Sequence, residues 1–294
     1  MIAVAGASGT LGSRVATRLL EKGYPVRALS RDPAGRLGPL RERGAEVAAW
    51  DLTDSASLSS ALNKVDQVVG AAHGLFPPVR GNDVFQVDAR GNRRLVDAAG
   101  KAGVKHVLFV SNTVPRDSRF GSAKQEAEDH LTASGLPFTV LRPTTFVEVH
   151  AVRLLAEPLR QGRAVRFLGP GRTPLNWISV EDVAQDVVRI LEKGPVDGVR
   201  TIGGPDVLSR VAALERAESV MGVQAKRSHL PLLLLKGARR GFRLFHRPLS
   251  DFLEVVELEA SRPEDPAWVP PHLDWRGTLG VEEVLRRWWA RSEP

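Results

Sequence analysis

The chain has 294 residues, of which 43% are apolar and none is cysteine. This length allows one large domain or two interleaved ones, and the lack of cysteine excludes disulfides, thiolate metal sites and a thiol nucleophile. The net charge of +7 equals the seven basic residues that lie, without any acidic residue, between Lys226 and Arg247. Because the rest of the chain is neutral, we predict no nucleic-acid binding, while a local acidic protein partner stays open at residues 226–247.

Short apolar runs alternate with amphipathic helical patterns over the first half of the chain. Continuously apolar runs are typical of strands buried on both faces, and they lie at residues 2–5, 26–29, 47–50, 67–71, 107–110 and 138–141. Between the first two runs, Leu11, Val15 and Leu19 form one helical face, and Gly23 follows as a stop signal. The alternation predicts an α/β fold with a doubly wound parallel sheet of the Rossmann type.

The alternation stops after the sixth apolar run. Residues 144–175 are rich in loops around a possible helix, whereas 176–203 contain a second helical pattern and one further strand. From residue 204 onward the sequence predicts helices and proline-rich irregular segments. We therefore expect an NAD(P)-binding Rossmann domain made of 1–143 plus 176–203. A smaller, mostly helical substrate or lid part would comprise 144–175 plus 204–294.

No segment has the pattern of a membrane span or a metal site. The longest strongly apolar run, residues 230–235, is far shorter than the ~20 residues that cross a bilayer. Residues 2–5 resemble a buried strand rather than a charged leader, so we expect a cytoplasmic protein. The histidines show no paired ligand spacing, so no metal is predicted.

The first strand is followed directly by a glycine-rich run, Gly6-Ala7-Ser8-Gly9-Thr10-Leu11-Gly12, which opens the first helix. Residues without Cβ allow a tight turn and close approach to a pyrophosphate, and the helix N-terminus supplies N–H groups. The alternative is a purely structural turn. The strand, loop and helix context favours a dinucleotide site formed by Gly6, Ser8, Gly9, Thr10, Leu11 and Gly12.

The end of the second strand bears on the choice of cofactor. An NAD-preferring site usually has an acidic residue there, but the position holds Ser30, followed by Arg31, whose guanidinium suits a 2′-phosphate. We therefore predict NADP rather than NAD. The alternative is that residues 32–33 only begin a turn and Arg31 is a solvated charge. Asp51 and Leu52, after the third strand, are expected along the adenine edge, although Asp51 is equally suited to cap the next helix.

Several stretches in order resemble the NmrA-like group of the atypical, or extended, short-chain dehydrogenases. The resemblance covers about the first 205 residues and is loose thereafter. It is found at residues 6–12, 30–32, 88–92, 103–107, 134–138, 141–143 and 177–184. It implies an NAD(P)-binding protein, and the group includes both reductases and redox sensors.

The resemblance also implies two further sets of cofactor contacts. The fourth strand would end over the cofactor ribose at Ala71, Ala72 and His73. The turn after the sixth strand would border the nicotinamide with Pro143, Thr144, Thr145 and Phe146. His73 is then the one histidine expected near the site, either as an acid–base group or as an ordinary loop residue. Phe146 either covers the nicotinamide or packs in the core.

Short-chain dehydrogenases usually carry Tyr-x-x-x-Lys on one face of the helix after the fifth strand. Here the lysine is matched by Lys124, but the tyrosine position holds Phe120, and the single tyrosine of the chain, Tyr24, lies near the phosphate loop. Carbonyl reduction or sugar epimerisation driven by a phenol is therefore excluded. Lys124 is predicted to bind the nicotinamide ribose, the alternative being an ion pair with Glu128 one turn away.

Ser111 and Thr113 end the fifth strand, at the edge of the sheet where ligands bind. Ser111 matches the family's active-site serine, although a helix cap is the alternative. We predict an NAD(P)H-dependent reductase of a small acceptor such as a quinone, a dye or an activated double bond, with Lys124, Ser111 and Thr113 as catalytic candidates. The alternative is an NADP(H)-binding regulator without turnover, which would dock a protein through residues 226–247. That segment also suits a substrate-domain helix with a solvated basic face.

Overall fold

A computed structural model describes residues 1–32, 35–52, 54–81 and 83–292. Eight strands form one parallel sheet in the order β13-β10-β6-β5-β4-β1-β2-β3. The strands of the described residues are β1 (Ile2–Ala5), β2 (Val26–Ser30), β3 (Glu46–Ala49), β4 (Gln67–Gly70), β5 (His106–Val110), β6 (Phe138–Pro143), β7 (Thr145–Phe146), β8 (Val165–Leu168), β9 (Leu175–Ile178), β10 (Gly198–Gly203), β11 (Asp206–Leu208), β12 (Arg227–Leu230) and β13 (Trp275–Arg276). The predicted doubly wound α/β fold is confirmed.

Helices cover both faces of this sheet. They are α1 (Thr10–Glu21), α2 (Gly38–Glu42), α3 (Ser55–Ala61), α4 (Asn92–Lys101), α5 (Arg119–Ala133), α6 (Glu157–Arg160), α7 (Val180–Lys193), α8 (Arg210–Met221), α9 (Leu232–Phe245), α10 (Arg247–Ser261) and α11 (Val281–Ala290). One face of the sheet packs on α1 and α7 through residues such as Leu19 and Val187. The other packs on α3, α4 and α5 through Leu58, Leu95 and Leu131. Burial on both sides explains why the strands are continuously apolar.

In the described residues, two π-helical segments lead directly into ordinary helices. Residues Phe85–Gly91 lead into α4, and Glu148–Ala156 lead into α6. The second segment packs with α8 and α11 in a separate hydrophobic cluster that includes Leu155, Leu214 and Leu285. This cluster also contains Val147, Val165 and Trp177 from the middle of the chain.

Several short strands were not predicted from the sequence. The pair β8–β12 and the trio β11-β9-β7 lie outside the main sheet, and β13 pairs in parallel with the end of β10, with Trp275 opposite Ile202. β7, β11 and β13 have only two or three residues, which is too short for any periodicity to be read. Residues 275–276 thus return to the Rossmann sheet, whereas the division of the remaining chain into two parts stays a prediction.

Candidate functional site

The glycines of the phosphate loop are fixed by close backbone contacts. Gly6 has a φ of +82°, and a Cβ there would lie 2.9 Å from the Ala72 nitrogen. A Cβ on Gly12 would lie only 2.2 Å from the Gly6 oxygen, but one on Gly9 would lie 3.2 Å from the same atom. Gly6 and Gly12 are therefore required by the loop itself, whereas Gly9 is less restricted within the protein.

The first turn of α1 opens towards the loop without a side-chain cap. Gly9 is the extended N-cap residue, and the first turn contains no acidic residue. First-turn N–H groups have no carbonyl partner within their helix, and the helix dipole adds partial positive charge there. The loop and helix end together form a cradle that fits the pyrophosphate of a dinucleotide.

Ser30 connects the end of β2 to this cradle. Its hydroxyl is buried and donates a hydrogen bond to the Ser8 hydroxyl over 3.0 Å, and it accepts one from the Asp32 amide over 3.3 Å. The position thus contributes no carboxylate towards a ribose. Arg31 is exposed and remains a predicted 2′-phosphate ligand, and Pro33 of the alternative turn lies outside the described residues.

A cavity of about 300 Å³ runs from the phosphate loop to the carboxyl edge of the sheet. It brings together predicted residues from five separate stretches of sequence. These are Ser8, Gly9, Thr10, Leu11, Ala71, His73, Ser111, Thr113, Lys124, Pro143, Thr144, Thr145 and Phe146. Gly6, Gly12, Ser30, Arg31, Ala72, Asp51 and Leu52 are not in the lining. Leu52 is buried in the core, and the Asp51 amide donates to the Ser57 hydroxyl, so their contact with an adenine stays a prediction.

The cavity is also lined by residues that the sequence did not single out. Arg36 lines it together with residues 8–11 and is exposed, which makes it a second candidate for a 2′-phosphate. Aromatic residues from three further segments add apolar surface, namely Phe76, Phe252 and Trp268. No local pattern marks these residues, since they meet only when distant segments fold over the sheet.

Lys124 lies on the α5 side of the cavity and is almost fully buried. Its ammonium pairs with Asp88 at 3.0 Å, the two side chains being 4% and 0% exposed. It also donates to the carbonyls of Val110 at 3.1 Å and Ala72 at 3.4 Å. The alternative of a pair with Glu128 is wrong, because Glu128 binds Arg142 instead. Asp88 in turn accepts from the Gly74 amide over 2.8 Å. The lysine therefore ties together the ends of β4 and β5.

Ser111 and Thr113 follow β5 at the cavity wall. The Ser111 amide donates to the Leu141 carbonyl over 2.7 Å, and its buried hydroxyl has no hydrogen-bond partner among the described residues. The cap of the next helix is Ser118, whose hydroxyl accepts from the Gly121 amide. Ser111 is thus not the cap, and its hydroxyl is available to a ligand in the cavity.

Phe120 occupies the wall where a catalytic phenol is expected in short-chain dehydrogenases. Its ring is buried and packs with Val84, Ala89 and Ala123. The single tyrosine, Tyr24, reaches the carboxylate of Glu192 at 3.4 Å, away from the cavity lining. Phe146 is half-buried, lines the cavity and also packs against the main core, so both of its expected roles are compatible with its position.

Two histidines line the cavity, so the expectation that His73 is the one histidine near the site is wrong. His150 comes from the π-helical segment after β7. Its Nδ1 lies 3.1 Å from Nη1 of Arg210, which binds Glu259 with two hydrogen bonds of 2.8 and 2.7 Å. Because a guanidinium only donates, Nδ1 accepts and Nε2 carries the proton of the neutral ring.

Burial sets the charge state of these histidines. It lowers the pKa of His73, an effect that Asp88 opposes and Lys124 reinforces. Burial, the Arg210 charge and His73 hold the pKa of His150 well below the ordinary value. Near neutral pH, His150 is therefore an uncharged hydrogen-bond donor through Nε2.

The fold and the glycine cradle define a dinucleotide-binding protein of the Rossmann type. The chain belongs to the NmrA-like family of NAD(P)-binding oxidoreductases, whose profile matches residues 1–242. It is 33% identical to an NAD(P)H azoreductase of Xenophilus azovorans over 72% of this chain and 73% of that protein. It is 27% identical to the photosystem II assembly factor Ycf39 of Synechocystis sp. over 99% of this chain and 91% of that protein.

A solved structure with a similar fold is the NADPH-dependent quinone oxidoreductase QOR2 of Escherichia coli in complex with NADPH. The TM-score is 0.71 and the sequence identity 24%, over 98% of this chain and all of that one. In the described part of the chain, no helix is both long and apolar enough to cross a membrane.

Proposed function

We propose that the protein is an NADPH-dependent reductase that transfers hydride to a small planar acceptor, such as a quinone, an azo dye or an activated double bond. The observation that carries this proposal is the continuous cavity from the phosphate cradle to an aromatic pocket in which Phe120 replaces a phenol. Acceptors of this kind take their proton from water, so a tyrosine is not required. The azoreductase relative supports the same class of acceptor.

The residues present fit the cofactor. The cradle at the start of α1 would bind the pyrophosphate, and Arg31 and Arg36 would contact the 2′-phosphate. Thr144, Thr145 and the orphaned Ser111 hydroxyl would border the nicotinamide end. The bound dinucleotide supplies the hydride, and the protein orients the acceptor and excludes water.

His150 is our candidate for contact with the acceptor. Its Nε2–H would donate a hydrogen bond to the acceptor oxygen or nitrogen on which negative charge develops. Arg210 fixes the tautomer, and Glu259 fixes Arg210, so both are positioning residues. Lys124 is also a positioning residue in this proposal, since Asp88 and two carbonyls already satisfy its ammonium. Direct contact of Lys124 with the ribose stays a prediction.

Oxidation of NADPH, followed by its absorbance, tests the proposal with one quinone, one azo dye and one simple ketone. We expect turnover of the quinone or the dye and not of the ketone. His150→Gln should lower kcat by about ten-fold or more, while the NADPH dissociation constant changes little. His130→Gln, which changes a half-buried histidine of α5 that pairs with Asp97 outside the cavity lining, is the matched control. Phe120→Tyr should leave NADPH affinity unaltered and give at most weak ketone reduction.

A regulator that binds NADP(H) without turnover is the second candidate. The similarity to an assembly factor over nearly the whole chain favours it. In that case NADPH would bind, yet none of the acceptors would accelerate its oxidation, and His150→Gln would have no kinetic effect to measure. A cytoplasmic location also stays a prediction.

A further inference from the structure

The outer surface of α9 exposes large apolar side chains. Leu233 and Leu234, in its first turn, are 79% and 58% exposed, and Leu244 and Phe245, in its last turn, are 87% and 63% exposed. They are the most exposed large apolar side chains of the described residues. Since exposed apolar clusters mark interaction sites on proteins, this outer surface has the composition of such a site.

The four side chains lie on one stripe of the helix. Leu233 and Leu244 are about three turns apart, which places them within roughly 20° of each other and about 16 Å apart along the axis. Leu234 and Phe245 have the same spacing and lie next to them. The opposite side of α9 faces the protein, where Leu235 is fully buried. The stripe therefore has apolar side chains at both ends of α9 and is directed away from the fold.

Basic side chains flank this stripe. Arg240 and Arg243 of α9, and Arg247 at the start of α10, are exposed, and none of them has an ion-pair partner among the described residues. Arg239 lies on the inner side of the helix, where it binds Glu254 and Glu257 of α10. Because Lys226 to Arg247 contains no acidic residue, the outer surface of α9 combines apolar groups with uncompensated positive charge.

We propose that α9 lies in the headgroup region of an anionic lipid bilayer, with Leu233, Leu234, Leu244 and Phe245 inserted and the arginines on lipid phosphates. An apolar stripe with a basic flank is the composition of an interfacial helix. At 14 residues, α9 is too short to span. A second copy of the chain fits less well, because a two-fold contact through α9 would bring the two basic flanks together.

This orientation would also bring the bilayer close to the cavity. The role of that proximity in substrate entry rests on the proposed function. The hairpin partner of α9 is α10, which contributes Phe252, Val255 and Glu259 to the cavity lining. A bilayer against α9 would lie one helix layer from the cavity. A lipophilic acceptor, such as a quinone dissolved in the membrane, would then have a short path to it.

Sedimentation with vesicles tests the docking without any turnover assay. The purified protein should co-sediment with vesicles of phosphatidylglycerol and phosphatidylcholine, and not with phosphatidylcholine alone. Arg240→Ala/Arg243→Ala should weaken binding by about ten-fold or more. The control Arg286→Ala/Arg287→Ala, on exposed parts of α11, makes the same change in net charge and should leave vesicle binding unchanged. Leu233→Gln/Leu244→Gln should also weaken binding about ten-fold, unlike Val196→Gln/Val223→Gln at other exposed positions.

The lack of native cysteine allows a second measurement. A polarity-sensitive fluorophore on Leu244→Cys should shift to the blue with anionic vesicles, whereas the same label on Val223→Cys should not. The proposal is overturned if the protein does not co-sediment with anionic vesicles at low salt. It is also overturned if Leu233→Gln/Leu244→Gln binds these vesicles as well as the unaltered protein does. Tight binding to a poly-glutamate peptide without vesicle binding, or dimerisation lost in Leu233→Gln/Leu244→Gln, identifies another occupant and also overturns it.

Discussion

Replacing Lys124 by methionine tests what its ammonium does in the free protein. The Lys124 ammonium and the Asp88 carboxylate are 3.0 Å apart, and their side chains are 4% and 0% exposed. Removing one partner of such a pair leaves a buried charge uncompensated, which costs about 3–5 kcal/mol of unfolding free energy. This is a large share of the ~5–15 kcal/mol by which a domain is stable.

The double variant Asp88→Asn/Lys124→Met separates the pair from its surroundings. It removes both charges, so it should be more stable than the sum of the two single changes predicts, by about 2 kcal/mol or more. The Gly74 amide keeps an oxygen to donate to in asparagine. Lys22→Met is the matched control, because Lys22 pairs with Glu192 at 2.6 Å on the surface, where an ion pair contributes about 0–1 kcal/mol.

Urea unfolding followed by tryptophan fluorescence measures these free energies, and NADPH titration of the same variants measures affinity. We expect Lys124→Met to have a lower free energy of unfolding. Its NADPH affinity should fall only as far as loss of the pair with Asp88 distorts the ends of β4 and β5. If Lys124→Met is no less stable than Lys22→Met, yet loses most of its NADPH affinity, the ammonium serves the ribose directly. The positioning role of Lys124 through Asp88 would then be wrong.

The cradle, the two arginines and the buried His106 can each be tested by substitution. Gly12→Ala should abolish NADPH binding, because its Cβ would lie 2.2 Å from the Gly6 oxygen, whereas Gly9→Ala, at 3.2 Å, should retain part of it; equal binding by both variants would contradict the steric argument. Arg31→Ala and Arg36→Ala should each weaken NADPH binding by about 1–3 kcal/mol and leave NADH binding unchanged. Titration with both nucleotides measures this, and equal loss for NADPH and NADH would show that the arginine does not bind the 2′-phosphate. Burial lowers the pKa of His106, so the unfolded chain binds the proton first as pH falls below about 6.5, and stability drops by up to ~1.4 kcal/mol per pH unit. Urea unfolding at two pH values should show a smaller drop in His106→Gln, and an unchanged drop would refute this origin.

The phosphate cradle could be predicted from the sequence because its chemistry is local. Gly6 to Gly12 lie within one turn between a buried strand and an amphipathic helix, and each of these has a pattern that can be read without the fold. The parallel sheet followed in the same way from the continuously apolar strands. Even there, the glycine spacing does not rank the three positions, whereas the structure places the tightest contact at Gly12.

The far wall of the cavity could not be predicted, because its residues meet only through tertiary packing. His150, Arg210 and Glu259 lie on three elements far apart in the chain, and their hydrogen bonds have no sequence periodicity. The partner of Lys124 was missed for a related reason. Asp88 lies in a π-helical segment, and a rule based on helical spacing selects Glu128 on the same helix instead.

Because Phe120 stands in place of a phenol, the lysine and the group that donates a hydrogen bond to the acceptor would lie on different elements in this protein. Where a tyrosine precedes the lysine by one turn, the ammonium has to lower the phenol's pKa, so it must face the substrate. With Phe120 in that place, such a task no longer exists, and the ammonium of Lys124 binds Asp88 and the strand ends. A polar hydrogen for the acceptor would then come from Nε2 of His150, which lies on the π-helical segment after β7 and not on α5. A neutral imidazole can stabilise developing negative charge but is a weak acid, so this arrangement favours acceptors whose reduced form remains stable as an anion, as quinones do, over simple ketones.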